Sequence, residues 1–228
     1  MAVAAALLLA GCDSGSSPAP TRTPTTPGAT TASAAAPSPA EDLARLARLG
    51  VSVSYRARYV ATQRHPRSRA GWQVWRSRTS LRVDVETRHS KATLIVTPRA
   101  AYACRAAAHE RTCFRVAKGG KPIPAPFQLL AERLFDSDLG RLAAHADSYR
   151  VRSAARVGAA SASCFGVRAR GDAPRPRVSR GTYCFSDRGL LSAVVYPSGN
   201  KVLLQHASTK APDRGTFKPY AHPTPLPG

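Results

Sequence analysis

Acidic side chains are scarce in this sequence. Thirteen Asp and Glu stand against 34 Lys and Arg in 228 residues, a formal net charge of +21. The carboxylates are few, with Glu41-Asp42 and Asp136/Asp138 read as helix-start residues, which leaves little material for two-carboxylate acid–base chemistry. Long apolar runs are missing too: the run Ala2–Ala10 falls far short of the roughly 20 residues a spanning helix needs. Six histidines, at 65, 89, 109, 145, 206 and 222, show no HExxH or paired spacing, so no metal site is read. No Gly-x-Ser-x-Gly elbow or SxxK element offers a serine nucleophile. These absences predict a protein that is not an enzyme and carries no cofactor. No nucleic-acid recognition motif occurs either.

What is present begins with Leu9-Ala10-Gly11-Cys12, which resembles a bacterial lipobox. Its length favours a signal-peptide core over a membrane span, although the positive region that usually precedes such a core is absent. On this reading residues 1–11 are a signal peptide and Cys12 carries a diacylglyceryl anchor. The location is then the outer face of the cytoplasmic membrane. Cysteine arithmetic agrees. Of five cysteines, lipidation accounts for Cys12 and leaves Cys104, Cys113, Cys164 and Cys184. Three connectivities are possible, and pairing of sequence neighbours is the simplest. Neither pair has the short spacing of structural zinc, and disulfides agree with export. Residues 12–40, mostly Ser, Thr, Pro, Ala and Gly, cannot bury enough apolar surface to order themselves and read as a flexible tether.

A single domain is expected over residues 41–218, with 219–228 a disordered tail. A helix opens it, with Leu43, Leu46 and Leu49 at helical spacing and Gly50 as a stop. The period then becomes two: Val51, Val53, Tyr55, Ala57 and Tyr59 alternate with polar residues. Similar runs recur to Ser208, making about eleven antiparallel strands. They are interrupted by apolar Pro126–Phe135 and by a further helix capped by Asp136-Ser137-Asp138. Alternation puts the cysteines on the polar face, opposite Phe114, Val116, Phe165, Val167, Tyr183 and Phe185. Trp72 and Trp75, three apart, must face opposite sides. Arg170-Gly171-Asp172 reads as a turn.

The lipobox, the Ser/Pro tether and the helix–strand–helix–strand order resemble the LolA-like superfamily, in particular actinobacterial lipoproteins of the LppX and LprG type. So do the stretches Val51-Ser52-Val53-Ser54-Tyr55, Leu81-Arg82-Val83-Asp84-Val85 and Gly181-Thr182-Tyr183-Cys184. The resemblance implies an α+β fold: a curved antiparallel sheet forming an incomplete half-barrel, with three short helices on its concave side. It also implies an apolar groove for an acyl-chain ligand, whether lipid, glycolipid or lipidated protein. Phe114, Phe127, Leu130, Phe135, Phe165, Tyr183, Phe185 and Val195 are the candidates for that groove or the core behind it. The expected partners are the membrane, a lipid ligand and an anionic envelope surface that attracts the basic chain, but not nucleic acid; the chain is expected to be monomeric. The alternative is an envelope interaction or sensor module with a packed interior, using its basic surface on an acidic polymer or partner protein.

Overall fold

Ser38 and Glu41 start the fold. The Glu41 amide donates to Ser38 Oγ, and the Ser38 amide donates to the Glu41 carboxylate at 2.7 Å. This reciprocal cap satisfies free donors of helix α1 (Pro39–Ser52), with Pro39 in its first turn. The computed structural model describes residues 36–107, 110–158, 161–173, 175 and 177–226. The chain divides into residues 1–36 and a compact unit, Pro37–Gly228. The expected signal peptide, Cys12 and the expected tether as far as residue 35 lie outside the described residues.

Helix α1 runs past Gly50 to Ser52, so Val51 and Val53 are not strand residues as expected. Gly50 serves close approach instead: a Cβ there would lie 2.5 Å from the Gly189 carbonyl oxygen. Gly189 itself has φ +76° and presses on Leu46 and Leu49. A positive φ and lack of room both select glycine, and the contact docks the helix on the 187–189 turn.

Among the described residues twelve strands form one open, curved, mixed sheet: β1 (Tyr55–Gln63), β2 (Ser68–Arg76), β3 (Leu81–Glu86), β4 (Lys91–Val96), β5 (Ala100–Ala107), β6 (Glu110–Lys118), β7 (Tyr149–Ser153), β8 (Ser163–Ala169), β9 (Gly181–Phe185), β10 (Leu191–Val195), β11 (Lys201–Ser208) and β12 (Pro223–Pro225). Their order is β12-β6-β5-β4-β3-β2-β1-β11-β10-β9-β8-β7. Two antiparallel meanders meet where β1 pairs with β11, and the edges β12 and β7 do not pair, so the sheet is not a closed barrel. β12 is the parallel exception, lying beside β6. Pro223–Pro225 thus form a strand within the expected disordered tail, of which residues 227 and 228 lie outside the described residues: prolines cannot donate to a ladder but are tolerated at an edge.

Between the meanders, α2 (Leu130–Arg133) continues through a π turn, Leu134–Asp138, into α3 (Leu139–His145). The expected break at Asp136–Asp138 does not occur, and Asp138 makes no side-chain capping bond. Leu134, Phe135, Leu139 and Leu142 are all fully or almost fully buried, so apolar packing carries the helix across the acidic stretch. Arg76 of β2 donates to the Phe135 carbonyl in this wide turn. Helices α1 to α3 pack on the concave face against Tyr55, Tyr59, Trp72, Val74, Phe165, Tyr183, Phe185 and Val194, and fill that part of it.

Disulfides join Cys104 to Cys113 across β5 and β6, and Cys164 to Cys184 across β8 and β9. They lie opposite the concave apolar residues, as alternation requires, but around Cys164–Cys184 that side is apolar. Cys184 is fully buried, and Cys164 and Cys184 pack with Ala193 and, less buried, Ala154, Val157 and Leu203.

Beyond β11 the chain crosses the convex face. The Thr216 carbonyl accepts from Arg82 at 2.9 Å, and β12 then joins the edge of β6. Near this crossing Asp84 is fully buried, held by Arg82 at 2.9 Å and Lys91 at 2.7 Å. Trp75 lies on the same face with the guanidinium groups of Arg56 and Arg82 at 5.6 and 5.1 Å from its ring, while Trp72 is in the core.

Candidate ligand groove

The concave face is not filled along its whole width. At the β4–β6 end, Leu94, Ala101 and Val116 form a second apolar cluster with Phe114, Phe127 and Leu129, apart from the main core. Beside it lies an open groove of about 750 Å³. Small residues make the hollow: Ala103 of β5 pairs with Leu94 on one side and Phe114 on the other. Ala92, Ala107, Pro126, Phe127 and Leu129 complete the apolar lining. The turn that brings Phe127 over the strands is held by Gln128, whose side-chain amide donates to the Ile123 carbonyl at 2.8 Å.

The groove lining on the sheet also holds three charged residues, Lys91, Arg105 and Glu110, of which Lys91 is held by Asp84 and Glu86. Arg105, two residues along β5 from Ala103, is exposed and forms no ion pair among the described residues. The combination is an apolar trough edged by an unpaired guanidinium and a carboxylate. The volume is within the range of small-molecule sites, roughly 300–1,000 Å³.

The residues expected to line a groove are divided by the structure. Phe114 and Phe127 line this one. Leu130 is 47% exposed and borders a separate hollow of about 270 Å³ with Trp72, Tyr196 and Val202. Phe135, Phe165, Tyr183 and Phe185 belong to the filled core. Val195 is on the convex face, a correction with a definite cause. The register of β10 shifts between Leu191 and Ala193, so a bulge turns Val194 inward and Val195 outward. The sequence reading missed Ala92, Ala103 and Arg105, since an alanine that leaves space carries no more signal than any other.

The π turn gathers a second polar group. Glu132 is 5% exposed and Asp138 1% exposed, with Arg133 and Arg141 at 3.6 and 3.8 Å from Asp138. Burial, reinforced by repulsion from Asp136 and Asp138, pushes the Glu132 carboxyl up to about 7. Burial also pushes Asp138 up to about 6, against the pull of the two arginines. Neither lines the groove. Among the described residues no group of three or more His, Cys, Asp or Glu is placed to hold a metal ion. No described helix is long and apolar enough to cross a membrane.

No family model matches the sequence, and no curated protein matches it. The solved structure of the Pseudomonas aeruginosa MucA/MucB complex contains a similar chain, with a TM-score of 0.47 and 15% identity. The match covers 79% of this chain and 60% of that one, so this chain spans less than two thirds of its length. The two disulfides fit a secreted protein of an oxidising compartment.

Proposed function

We propose that the chain is a non-enzymatic, lipid-anchored envelope protein that holds an acyl chain in the β4–β6 groove. The observation that supports this reading is the groove itself: a trough of about 750 Å³ floored by alanines and walled by Phe114, Phe127 and Leu129. An acyl chain buried there gains about 0.8 kcal/mol per methylene. Arg105 would meet an acidic head group beside the trough, as a charge-assisted bond. Cys12 and the tether would keep the groove within reach of the membrane surface.

The test is uptake of a fluorescent fatty acid by the full chain carrying Cys12→Ser, exported to an oxidising compartment. Ala103→Phe fills the hollow between Leu94 and Phe114, and Ala92→Trp fills it from β4. Both are expected to lower uptake at least about tenfold, a loss of 1.4 kcal/mol or more, with the far-UV circular dichroism of the parent. Undiminished uptake by both folded variants would place the fatty acid elsewhere and refute the groove.

A further inference from the structure

The convex face of β7 to β10 carries an array of arginines for which the fold has no use. Side chains alternate, so Arg150, Arg152 and Arg168 point away from Tyr149, Phe165 and Val167 of the core. Arg150 lies directly opposite Arg168, and Arg152 opposite Gly166. Arg180 stands just before β9, whose Gly181 pairs with Val167. Like charges facing each other across strands are destabilising. None of these four arginines, nor Arg170, forms an ion pair among the described residues. The contrast with β3 and β4 is sharp, since there Arg82 and Lys91 are neutralised by Asp84 and Glu86.

The array surrounds space. A hollow of about 550 Å³ is floored by Gly166, Gly181, Thr182 and Val195 and walled by Arg150, Arg152, Arg168 and Arg180. An adjoining hollow of about 400 Å³ shares Arg150 and Arg168 and adds Arg170. No carboxylate lines either one. Glycine matters at the floor: a Cβ on Gly166 would lie 3.3 Å from the Arg152 side chain, crowding it.

We infer that this surface is a binding site for a linear polyanion that carries an anionic phosphate in each repeat unit. Neighbouring strands stand about 4.8 Å apart, and alternate residues along a strand about 6.7 Å. The guanidinium groups are therefore rooted on a two-dimensional grid that offers several successive anion sites. Guanidinium forks bind phosphate through paired hydrogen bonds, which the point charge of lysine does not. Charges lining two adjoining hollows suit a thread laid across the strands, whereas a bilayer plane would meet only the rims of the hollows. The inference is independent of the acyl groove, which lies on the other face at the other end of the sheet.

The test measures binding of long-chain inorganic polyphosphate to the full chain by anisotropy across a salt series. Two double variants, R150Q/R168Q and R152Q/R180Q, are compared with R111Q/R115Q, which removes the same charge on β6. Each groove variant is expected to lose at least about tenfold in affinity, the consequence of losing charge-assisted bonds. Its log–log salt slope should fall by about one to two. The β6 variant should stay within about twofold, the share that net charge carries. Thermal stability of the groove variants should equal or exceed that of the parent, because repulsion is relieved. Equal losses in all three variants would reduce the effect to net charge and overturn the site. So would parent affinity for polyphosphate no greater than for orthophosphate. Loss of binding to phosphatidylglycerol vesicles in the groove variants, with polyphosphate binding intact, would assign the face to membrane and overturn it equally.

Discussion

Burial holds the Glu132 and Asp138 carboxyls partly protonated near neutrality, with folded values of about 7 and about 6. A carboxyl whose folded value lies above its unfolded value binds a proton in the native state that the unfolded chain releases. The native state therefore loses stability as pH rises from about 4.5 to 7 through Glu132, and regains it as pH falls. Thermal denaturation should show a higher midpoint at pH 5 than at pH 8. Glu132→Gln should raise stability at pH 8 by on the order of 1–3 kcal/mol and flatten the profile over that window. A midpoint that rises steadily from pH 5 to 8, and that Glu132→Gln leaves unchanged, would show that this carboxyl ionises freely in the fold. Nothing in the sequence distinguishes Glu132 from an exposed helix glutamate. Its burial follows from the way the π turn packs.

At the scale of elements, the C-terminal segment and Asp84 form one unit. Asp84 is fully buried yet carries two cations, and the chain after β11 crosses beside it to form β12. Removing one member of a buried ion pair leaves uncompensated charge. Asp84→Asn should therefore lower unfolding free energy by about 3 kcal/mol, read by urea denaturation, whereas Asp42→Asn at the exposed pair with Arg45 should cost less than about 1 kcal/mol. Equal effects would mean that Asp84 is not shielded from water. The strands β1 to β11 are legible in the sequence because period-two alternation survives in nearly every one, from Tyr55 to Ser208. The helix start at Ser38 is also legible in principle, as Ser-x-x-Glu, but it sits at the end of a Ser/Pro tract that conceals it. β12 is not legible, since Pro-Thr-Pro has no pattern of its own and is ordered by the β6 edge. Val195 shows how one bulged residue reverses the faces of a strand whose location was read correctly.

For the whole molecule, one curved sheet separates two environments. Its concave side is a filled core over most of its width and an open apolar trough at the β4–β6 end. Its convex side is basic, with matched charges near the C-terminal crossing and unmatched arginines over β7 to β10. Groove lining and core use the same residue types, which is why Phe114 and Phe127 could not be separated from Phe165 and Phe185 before the curvature was known. Curvature is a property of the assembled sheet and its bulges, and alternation within single strands does not encode it. The measurement that bears most directly on acyl binding is mass spectrometry of an organic extract from the full Cys12→Ser chain, exported and purified without detergent. One acyl lipid per chain, also visible in the native spectrum of the intact protein, is the predicted result. An empty spectrum, together with no uptake of added phospholipid or fatty acid, would contradict the account and leave a packed interaction module.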